Sequence, residues 1–248
     1  MLPSLRPAGL LLPLCGLLLA AGAAHADADR AALVRVGASV LKVEAERPQG
    51  GFSLGSAVVV APERAVTNCH VTRDSSRVRL ARGELRLEVA AIAADAGHDL
   101  CLLHVPGLKA AAVVMGSSAT LQPRQPVTAL GFTGGMGLQT SSGLVVALHS
   151  LDGAQVVQST NWFTSGASGG GLFDDTTMQL VGVLTFRLRG GRVHYFSAPV
   201  EWIAPLLAAP ASPVAPLPAD ALAYWQLPAQ DQPAFLRDMA PEPAANRP

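Results

Sequence analysis

An excess of charge of one sign is missing from this sequence of 248 residues. Its 18 lysine and arginine residues balance 18 aspartate and glutamate residues, and the two signs are well mixed along the chain. Proteins that bind nucleic acids usually carry a basic face, and proteins that bind anionic membranes carry a polybasic segment. Because the sequence has neither feature, we expect no nucleic-acid partner and no polybasic contact with a membrane.

Cysteine is scarce, and the first of the three cysteines lies in an N-terminal segment with the features of a signal peptide. A positive charge within residues 1–6 precedes an apolar stretch over residues 10–23, and Ala24-His25-Ala26 has the small-x-small pattern of a cleavage site. We expect cleavage after Ala26 and a mature protein in the periplasm or outside the cell, without stable membrane insertion. An uncleaved anchor is the alternative, but the apolar stretch is short for a span of about 20 residues.

Two cysteines, Cys69 and Cys101, remain after this cleavage. In an oxidising compartment a pair of cysteines favours a disulfide, whereas two buried free thiols would pack as small apolar side chains. The spacing alone leaves both interpretations open, because it does not give the separation of the two Cα atoms.

Long segments with helical periodicity are also missing between residues 37 and 198. Short apolar runs separated by Gly, Pro, Asp or Asn take their place, a pattern typical of an all-β sandwich or barrel. They form two clusters, divided near residues 107–124. The predicted strands are Ser39–Val43, Ser56–Val60, Arg77–Leu80, Leu85–Ala91, Leu100–Val105, Val127–Leu130, Leu144–Leu148, Gln155–Gln158, Leu180–Leu184 and Val193–Phe196.

The C-terminal part of the sequence changes character after the last predicted strand. Residues 199–207 predict a short helix, since Pro199 at its start has no N–H that the helix would need to pair. Residues 208–248 are rich in alanine and proline, as in linkers and tails. We therefore expect one domain over residues 27–207 followed by a tail, with Trp225 and Phe235 packing back on the domain.

Three short segments carry residues suited to nucleophilic catalysis. His70 follows an apolar strand, Asp99 directly precedes another, and Ser168 lies in a glycine-dense turn. A serine hydroxyl needs an adjacent base, an imidazole with a pKa of ~6.5 can take and return a proton, and a buried carboxylate can orient that imidazole. These residues predict a catalytic triad, and the backbone N–H groups of Gly166 and Ser168 predict an oxyanion hole.

Other acids and histidines lie close to Asp99 and offer alternative interpretations. Asp95 could be the acid, although Asp99 fits better because it enters the apolar strand directly. His98 and His104 flank Asp99 and could suggest a metal site. No cysteine or carboxylate pattern supports zinc, so we predict neither a metal nor a cofactor.

Taken together, these segments resemble the chymotrypsin-fold, or trypsin-like, serine proteases, and most closely the bacterial HtrA-type periplasmic branch. The resemblance covers residues 37–207 and implies two tandem six-stranded antiparallel β-barrels with a short C-terminal helix. It also implies a serine endopeptidase that cleaves periplasmic or secreted polypeptides through an acyl-enzyme. The segments that carry it are GSAVVVAPERAVTNCHV (55–71), HDLCLLHV (98–105), GFTGGMGLQTSSGLVVAL (131–148), QSTNWFTSGASGGGLFDD (158–175), LVGVLTF (180–186) and YFSAP (195–199).

The resemblance also implies roles for residues around the triad. Thr185 takes the position of a hydroxyl residue that contacts the catalytic aspartate. Phe186 and Arg187 would flank a substrate bound as an added strand. Trp162 and Phe196 would line the pocket for the side chain that precedes the cleaved bond, and the absence of an acid at Trp162 indicates a preference for an apolar or small side chain.

The triad geometry that the resemblance implies also brings the segments of Cys69 and Cys101 together, which favours their disulfide.

The sequence departs from the family pattern in two places. Ala167 precedes the serine where pancreatic enzymes have aspartate and HtrA-type enzymes usually have asparagine, so activation by a newly formed N-terminus is not expected. The oxyanion loop would then be held by packing of Trp162 and Phe163, or would order only when substrate binds. A catalytically weak or inactive peptide-binding, chaperone-like pseudoprotease is therefore the alternative function. The tail is also too short and proline-rich for the PDZ domain that many HtrA-type proteases carry.

Overall fold

Short antiparallel strands carry most of the fold in the computed structural model, which describes residues 30–134, 137–189 and 193–239. The predicted signal peptide lies outside these residues. In the described ranges no helix is long and apolar enough to cross a membrane. The strands are β1 (Val40–Glu46), β2 (Phe52–Ala61), β3 (Arg64–Asn68), β4 (Val78–Arg82), β5 (Leu85–Glu88), β6 (Ala91–Asp95), β7 (Leu100–His104), β8 (Pro126–Phe132), β9 (Leu138–Leu151), β10 (Ala154–Ser159), β11 (Gly171–Asp174), β12 (Leu180–Arg189), β13 (Val193–Pro199) and β14 (Ser212–Pro213).

Helices in the described residues are short. The α-helices are α1 (residues 30–38), α2 (Cys69–Thr72), α3 (Ile203–Ala208) and α4 (Ala234–Arg237). Single 3₁₀ turns lie at Ser118–Thr120, Val200–Trp202 and Ala229–Asp231.

The strands form two sheets that follow each other along the chain. β8 to β13 close into a six-stranded barrel in the order β10-β13-β12-β11-β8-β9. The first half forms a sheet in the order β14-β6-β7-β3-β2-β1-β4-β5. The prediction of an all-β, trypsin-like double-barrel fold is confirmed. The first sheet has eight strands instead of six, because β1 to β7 all join it and the tail adds β14 at the edge of β6.

Each half buries its own apolar cluster, which explains why these segments form strands. Leu41, Val43, Val59, Leu80 and Leu103 lie in the core of the first half. Residues of β8, β10 and β12 form the core of the second barrel, together with the loop residues Phe163 and Ala167. Burial of apolar surface at about 25 cal/mol per Å² is the main driving force for such packing. Two residues of the loop that carries the predicted nucleophile are thus part of a core.

The register of β3 and β7 determines where the ends of these two strands meet. Thr67 pairs with Cys101, and Asn68 pairs with Leu100. The chain leaves β3 into α2 at the same edge of the sheet where it enters β7. Because the pair is antiparallel, the residues after β3 and those before β7 are forced into contact. Cys69 and Cys101 lie beside this junction and are joined by a disulfide, with their Cα atoms 4.9 Å apart.

The described part of the tail is folded onto the first sheet. β14 pairs with β6, the Leu217 N–H donates to the carbonyl of Arg73, and the Tyr224 N–H donates to the carbonyl of Gly97. The alanine- and proline-rich composition predicts a linker or tail, and the backbone groups of the described part of this tail pair with the domain.

Candidate active site

His70 and Asp99 meet at the junction of β3 and β7. His70 lies in α2, directly after β3, and its backbone N–H donates to Asp99 Oδ1 at 2.8 Å. Its side-chain Nδ1 lies 2.6 Å from Asp99 Oδ2. The carboxylate therefore contacts both the main chain and the ring of the same histidine, which fixes the ring orientation and keeps Nδ1 as the protonated nitrogen. The opposite ring nitrogen, Nε2, is left to act as a base.

Asp99 has a backbone conformation that few non-glycine residues adopt. Its φ is +60°, in the left-handed region. The Asp99 N–H donates to the carbonyl of Ala96, and the Asp99 carbonyl accepts from the Cys69 N–H and from Asn68 Nδ2. Strained backbone of this kind persists where surrounding bonds hold it, and it concentrates at functional sites.

Burial distinguishes the two partners of this pair. The Asp99 side chain is 2% exposed, whereas the His70 side chain is 23% exposed. Burial of a carboxylate is costly unless hydrogen-bond donors replace water. Asp99 accepts two hydrogen bonds from His70 and has a third donor. The indole Nε1–H of Trp225, from the tail, donates to Asp99 Oδ2 at 3.2 Å.

Ser168 lies in the loop between β10 and β11, where two glycines allow close approaches to β2 of the first sheet and to β8 of the second barrel. Gly166 has a φ of +97° and Gly169 a φ of +86°. A Cβ at Gly169 would lie 2.0 Å from the carbonyl oxygen of Ser56, and a Cβ at Gly166 would lie 2.6 Å from that of Phe132. Both positions require glycine for conformation and for space.

Ser56, on β2, holds this loop from the first sheet. Its N–H donates to the Ser168 carbonyl at 2.7 Å, and its hydroxyl donates to the Gly166 carbonyl at 2.8 Å. The same hydroxyl accepts the N–H of Phe132 at 2.8 Å. Ser56 is fully buried, so these bonds are formed away from water. The backbone and side chain of this one residue thus join β2 to β8 and to the loop at Gly166 and Ser168.

The hydroxyl of Ser168 and the ring of His70 open into the same cleft. Its volume is about 370 Å³, and Phe52, Leu54 and Gly166 are among its other lining residues. The Ser168 hydroxyl donates to the Thr185 carbonyl at 3.3 Å, a long hydrogen bond. Its hydrogen bond is thus with Thr185 and not with His70. Catalytic hydrogen bonds are often long or differently aligned in unliganded enzymes and tighten when substrate binds.

The backbone N–H groups of Gly166 and Ser168 have no acceptor within the ranges that the structure describes. The Ser165 carbonyl accepts the Gly134 N–H at 2.8 Å. Because the peptide bond is planar and trans, the Gly166 N–H points in the opposite direction. Across the described residues, the N–H groups of Gly166 and Ser168 have no hydrogen-bond acceptor. The predicted oxyanion donors are therefore available in the absence of substrate.

The alanine that departs from the family pattern is packed against the second barrel. Ala167 is 1% exposed, and a Cβ added at Gly131 would lie 3.0 Å from its Cα and Cβ. Phe163 is buried against Tyr195, with the ring centroids 5.1 Å apart. Trp162 is 57% exposed. Phe163 and Ala167 thus anchor the loop in the core, and Trp162 does not.

The hydroxyl of Thr185 does not contact Asp99, contrary to the role expected for it. It donates to the Val183 carbonyl at 2.8 Å and accepts from Asn68 Nδ2 and from the Ala198 N–H. The reason is local, because a bulge in the pairing of β12 with β13 lies at this residue and its hydroxyl satisfies the irregular backbone. Trp225 supplies the hydrogen bond to Asp99 instead.

Of the two aromatic residues expected to line the substrate pocket, Phe196 lies in a covered stack and Trp162 does not. Phe196 is fully buried and stacks on Phe186 at 4.7 Å, and Phe186 stacks on Trp225 at 4.9 Å. Phe196 therefore supports the site from below and lines no open pocket. Arg187 is half-buried beside Phe186 on β12, and Trp162 lines a separate cavity of about 50 Å³ beneath the loop.

Asp95, the alternative acid, pairs with a different histidine. Its Oδ2 lies 2.6 Å from His98 Nδ1, and His98 Nε2 lies 3.0 Å from Asp152 Oδ2 in the turn between β9 and β10. These carboxylates hold the pKa of His98 above its usual value, and the hydrogen bond from His98 lowers the pKa of Asp95. In the part of the chain that the structure describes, no three His, Cys, Asp or Glu side chains are arranged so that they could hold a metal ion.

The structure adds three residues that the sequence did not single out for the site: Ser56, Asn68 and Trp225. Ser56 and Asn68 stand within the motif around His70, where neighbouring apolar residues gave no reason to assign them a contact. Trp225 lies 126 residues from Asp99, and its contact has no signal in local spacing.

The sequence also matches a known protein family. A family model for the trypsin-like peptidase domain matches residues 55–183. The chain belongs to this family. It is accordingly a serine endopeptidase of the hydrolase class, as the sequence predicts. No curated protein matches the sequence.

Solved structures of bacterial proteases share the fold of this trypsin-like peptidase. The active form of the Rv3671c protease from M. tuberculosis has a TM-score of 0.66 at 22% identity, over 77% of this chain and 88% of that one. The HtrA-type protease AlgW with a tripeptide has a TM-score of 0.66 at 22% identity, over 73% of this chain and 62% of that one. The serine endoprotease from Yersinia pestis has a TM-score of 0.65 at 21% identity, over 73% and 65%. The chain thus spans less than two thirds of the last two proteins.

Proposed function

We propose that this trypsin-like peptidase cleaves polypeptides through a triad of Ser168, His70 and Asp99. The observation that carries the proposal is the His70–Asp99 pair, joined by two hydrogen bonds, whose histidine lines one cleft with Ser168 and Gly166. The N–H groups of Gly166 and Ser168 have no acceptor among the described residues. These are the base, the orienting acid, the nucleophile and the oxyanion donors that acyl transfer requires.

The first half of the reaction follows from this geometry. Ser168 Oγ attacks the carbonyl carbon of the scissile bond, and its proton passes to His70 Nε2. Asp99 stabilises the resulting imidazolium through Nδ1, and the N–H groups of Gly166 and Ser168 hold the oxyanion. The same proton then moves from Nε2 to the leaving amine, the C–N bond breaks, and an acyl-enzyme remains. Removing one oxyanion donor typically costs about 3 kcal/mol of transition-state stabilisation.

Hydrolysis of the acyl-enzyme repeats these steps with water. His70 takes a proton from the water molecule, the hydroxide oxygen attacks the ester carbon, and the proton returns to Ser168 Oγ as the acid product leaves. In this proposal every proton transfer uses Nε2 of one imidazole, and no metal or cofactor takes part.

The substrate we propose is a polypeptide, most simply an unfolded one, with an apolar or small side chain before the cleaved bond. Phe52 and Leu54 give the cleft apolar surface, and the described cleft contains no acidic side chain that would select lysine or arginine.

The site of action we propose is the periplasm or the extracellular space, because residues 1–26 have the pattern of a signal peptide. We propose no nucleic-acid partner.

A nucleophile substitution tests the triad. We expect Ser168→Ala to lower the cleavage of casein by at least about 10⁴-fold, because catalysis without the nucleophile falls to the residual level of the oxyanion hole. Ser150→Ala, an exposed serine on β9, should cleave casein like the wild type. A fluorophosphonate probe should label the wild type and Ser150→Ala but not Ser168→Ala.

The outcome against the proposal is equally clear. If casein cleavage persists in Ser168→Ala, the nucleophile is another residue. If the wild type neither cleaves casein nor reacts with the probe, the alternative of a peptide-binding pseudoprotease replaces the proposal.

A further inference from the structure

Trp225 contacts both members of the His70–Asp99 pair from the C-terminal tail. Its Nε1–H donates to Asp99 Oδ2 at 3.2 Å, the same oxygen that binds His70 Nδ1. Its ring stands perpendicular to the imidazole, with the centroids 5.6 Å apart and the planes at 88°. The indole thus covers one side of the histidine and holds the carboxylate that orients it.

The tail holds Trp225 in place through several independent bonds. The neighbouring Tyr224 N–H donates to the carbonyl of Gly97, two residues before Asp99. Gln232 Nε2 donates to the carbonyl of Trp225 at 3.2 Å. Arg73, three residues after His70, donates to the carbonyl of Ala221 at 3.2 Å and to Gln226 Oε1 at 3.3 Å. The segment is therefore fixed on both sides of Trp225 by the two loops that carry His70 and Asp99.

An aromatic stack fixes the indole from below. Trp225 stacks on Phe186 with the planes at 10°, and Phe186 stacks on the fully buried Phe196, also at 10°. This stack rises from the core side of β13, so the indole plane is set by the second barrel while its N–H is set by the first sheet. A side chain held from both halves loses little conformational freedom when it donates its hydrogen bond, which makes that bond more effective.

The hydrogen bond itself has a direct chemical consequence. Asp99 Oδ2 accepts from two donors, and each lowers the charge density that the oxygen offers to the other. The indole N–H and the imidazole Nδ1 approach Oδ2 from two directions, and together they fix the orientation of the carboxylate. The hydroxyl expected to perform this task, that of Thr185, bonds to the Val183 carbonyl instead.

We propose that Trp225 is a positioning residue of the active site, which orients the Asp99 carboxylate and through it the His70 imidazole. The consequence for catalysis rests on the proposed triad, but the consequence for the imidazole does not. The C-terminal segment from Ser212 to Arg237 thereby becomes part of the site and not an appendage of the domain.

Three charged groups among the described residues lie near His70. Asp99 binds it directly, Arg47 lines both cavities that His70 borders, and Asp74 lines one of them. Tyr224 lies behind Asp99, and burial together with the aspartate charge raises the pKa of its hydroxyl, so it stays neutral across the accessible pH range. A change in the pKa of His70 in a Trp225 variant therefore reports on the carboxylate and on the cover that the indole provides.

Trp225→Phe is the decisive variant, because it retains a ring that can stack on Phe186 and removes the N–H. We expect kcat for a peptide substrate to fall about tenfold, equivalent to about 1.4 kcal/mol, with KM changed less than twofold. The pKa of His70, followed by NMR of the imidazole, should rise by about half a unit or more. The Asp99 carboxylate loses a competing donor and the His70 ring becomes more exposed, and both changes favour the imidazolium. Trp202→Phe is the matched control, because it also loses an indole hydrogen bond, to the Asp152 carbonyl, but does not contact His70.

The NMR readout separates this inference from the proposed function. If Trp225→Phe leaves the pKa of His70 and kcat unchanged relative to the wild type, the inference is overturned although the peptidase proposal stands. If the pKa of His70 rises in Trp225→Phe but not in Trp202→Phe, the positioning role stands even if the wild type cleaves no peptide. An equal rise in both variants would indicate a general loosening of the fold and would also overturn the inference.

Discussion

Ser56 shows how a single buried hydroxyl can control the nucleophile loop. It donates to the Gly166 carbonyl and accepts the Phe132 N–H, and its own N–H binds the Ser168 carbonyl. The Gly166 carbonyl belongs to the peptide bond between Gly166, a proposed oxyanion donor, and Ala167. Rotation of this peptide bond, or of the one that follows Ser168, must therefore break a hydrogen bond to Ser56.

The Ser56→Ala variant tests this control. It leaves the buried Gly166 carbonyl and the partly buried Phe132 N–H without their partner. An unsatisfied buried group costs about 1–3 kcal/mol. We expect a lower free energy of unfolding and a kcat at least about tenfold lower, because the loop gains freedom at the oxyanion donors.

Ser197→Ala is the matched control for this variant. Its hydroxyl is also buried but has no hydrogen-bond partner in the described structure. Stability and kcat should stay near the wild-type values in this control. Chemical unfolding measures the stability of both variants, and a peptide-cleavage assay measures their kcat. An unchanged kcat in Ser56→Ala would contradict the role given to Ser56.

At the level of elements, the turn before β7 and the turn between β9 and β10 are joined by a histidine. His98 binds Asp95 in its own turn and Asp152 in the other, and it stacks on Trp202 at 3.9 Å. The contact joins the first sheet to the second barrel close to Asp99. Its strength depends on the charge of His98.

This contact predicts a pH dependence of stability. The hydrogen bond to Asp95 raises the pKa of His98, so its contribution is complete below the unfolded value of about 6.5 and disappears as the pH rises through the folded pKa. The pKa of Asp95 is lowered by His98, so its contribution is lost as the pH falls below about 4. We expect His98→Gln to lower the melting temperature more at pH 5.5 than at pH 9.

Thermal unfolding at the two pH values measures this difference. Asp152→Asn should show the same direction with a smaller change, because the Asp152 side chain is 64% exposed and its ion pair is screened by water. A loss in His98→Gln that is equal at both pH values would show that the contact depends on shape and stacking alone.

The sequence predicted elements well where apolar residues form uninterrupted runs. Leu100–Val105 was expected as a strand, and β7 covers Leu100–His104, because both faces of this strand are buried. β9 extends over Leu138–Leu151, much further than expected, because much of it faces solvent and its polar residues hide the strand pattern. β3 and β11 were missed as separate strands since each is only a few residues long.

The site was predictable to the extent that it lies in local motifs. His70, Asp99 and Ser168 each stand in a segment with a recognisable pattern, and the fold that these segments indicated is the one observed. The hydroxyl of Thr185 and the ring of Phe196 were placed by family analogy, but a strand bulge and complete burial give them other contacts. The contact of Trp225 depends on the path of a proline-rich segment across the molecule, which no local pattern encodes.

On the scale of the whole molecule, the junction between β3 and β7 is closed covalently. Cys69 and Cys101 form a disulfide across a separation of 32 residues, next to both His70 and Asp99. Closing a loop of this length removes conformational freedom from the unfolded chain and is worth about 3–4 kcal/mol in the loop-entropy model. Disulfides form and persist mainly in oxidising compartments, so this bond supports the proposed export.

Export and the disulfide give one combined prediction. Protein recovered from the periplasm or the medium should begin at Asp27, and its two cysteines should react with a thiol label only after reduction. Reduction should lower the free energy of unfolding by about 3–4 kcal/mol, while a Cys69→Ala/Cys101→Ala protein should not respond to the reductant. N-terminal sequencing and mass spectrometry check both points, and a mature protein that retains residues 1–26 would contradict the export proposal.

The position of Trp225 in the chain sets the order in which the site can be assembled. Polypeptides are synthesised from the N-terminus at about 5–20 residues per second, and domains tend to form as their residues emerge. The proposed nucleophile Ser168, base His70 and acid Asp99 all leave the ribosome before the Trp225 indole, which contacts the last two. A nascent chain therefore contains all three proposed catalytic residues before Trp225 can contact them, and that contact forms only near the end of synthesis.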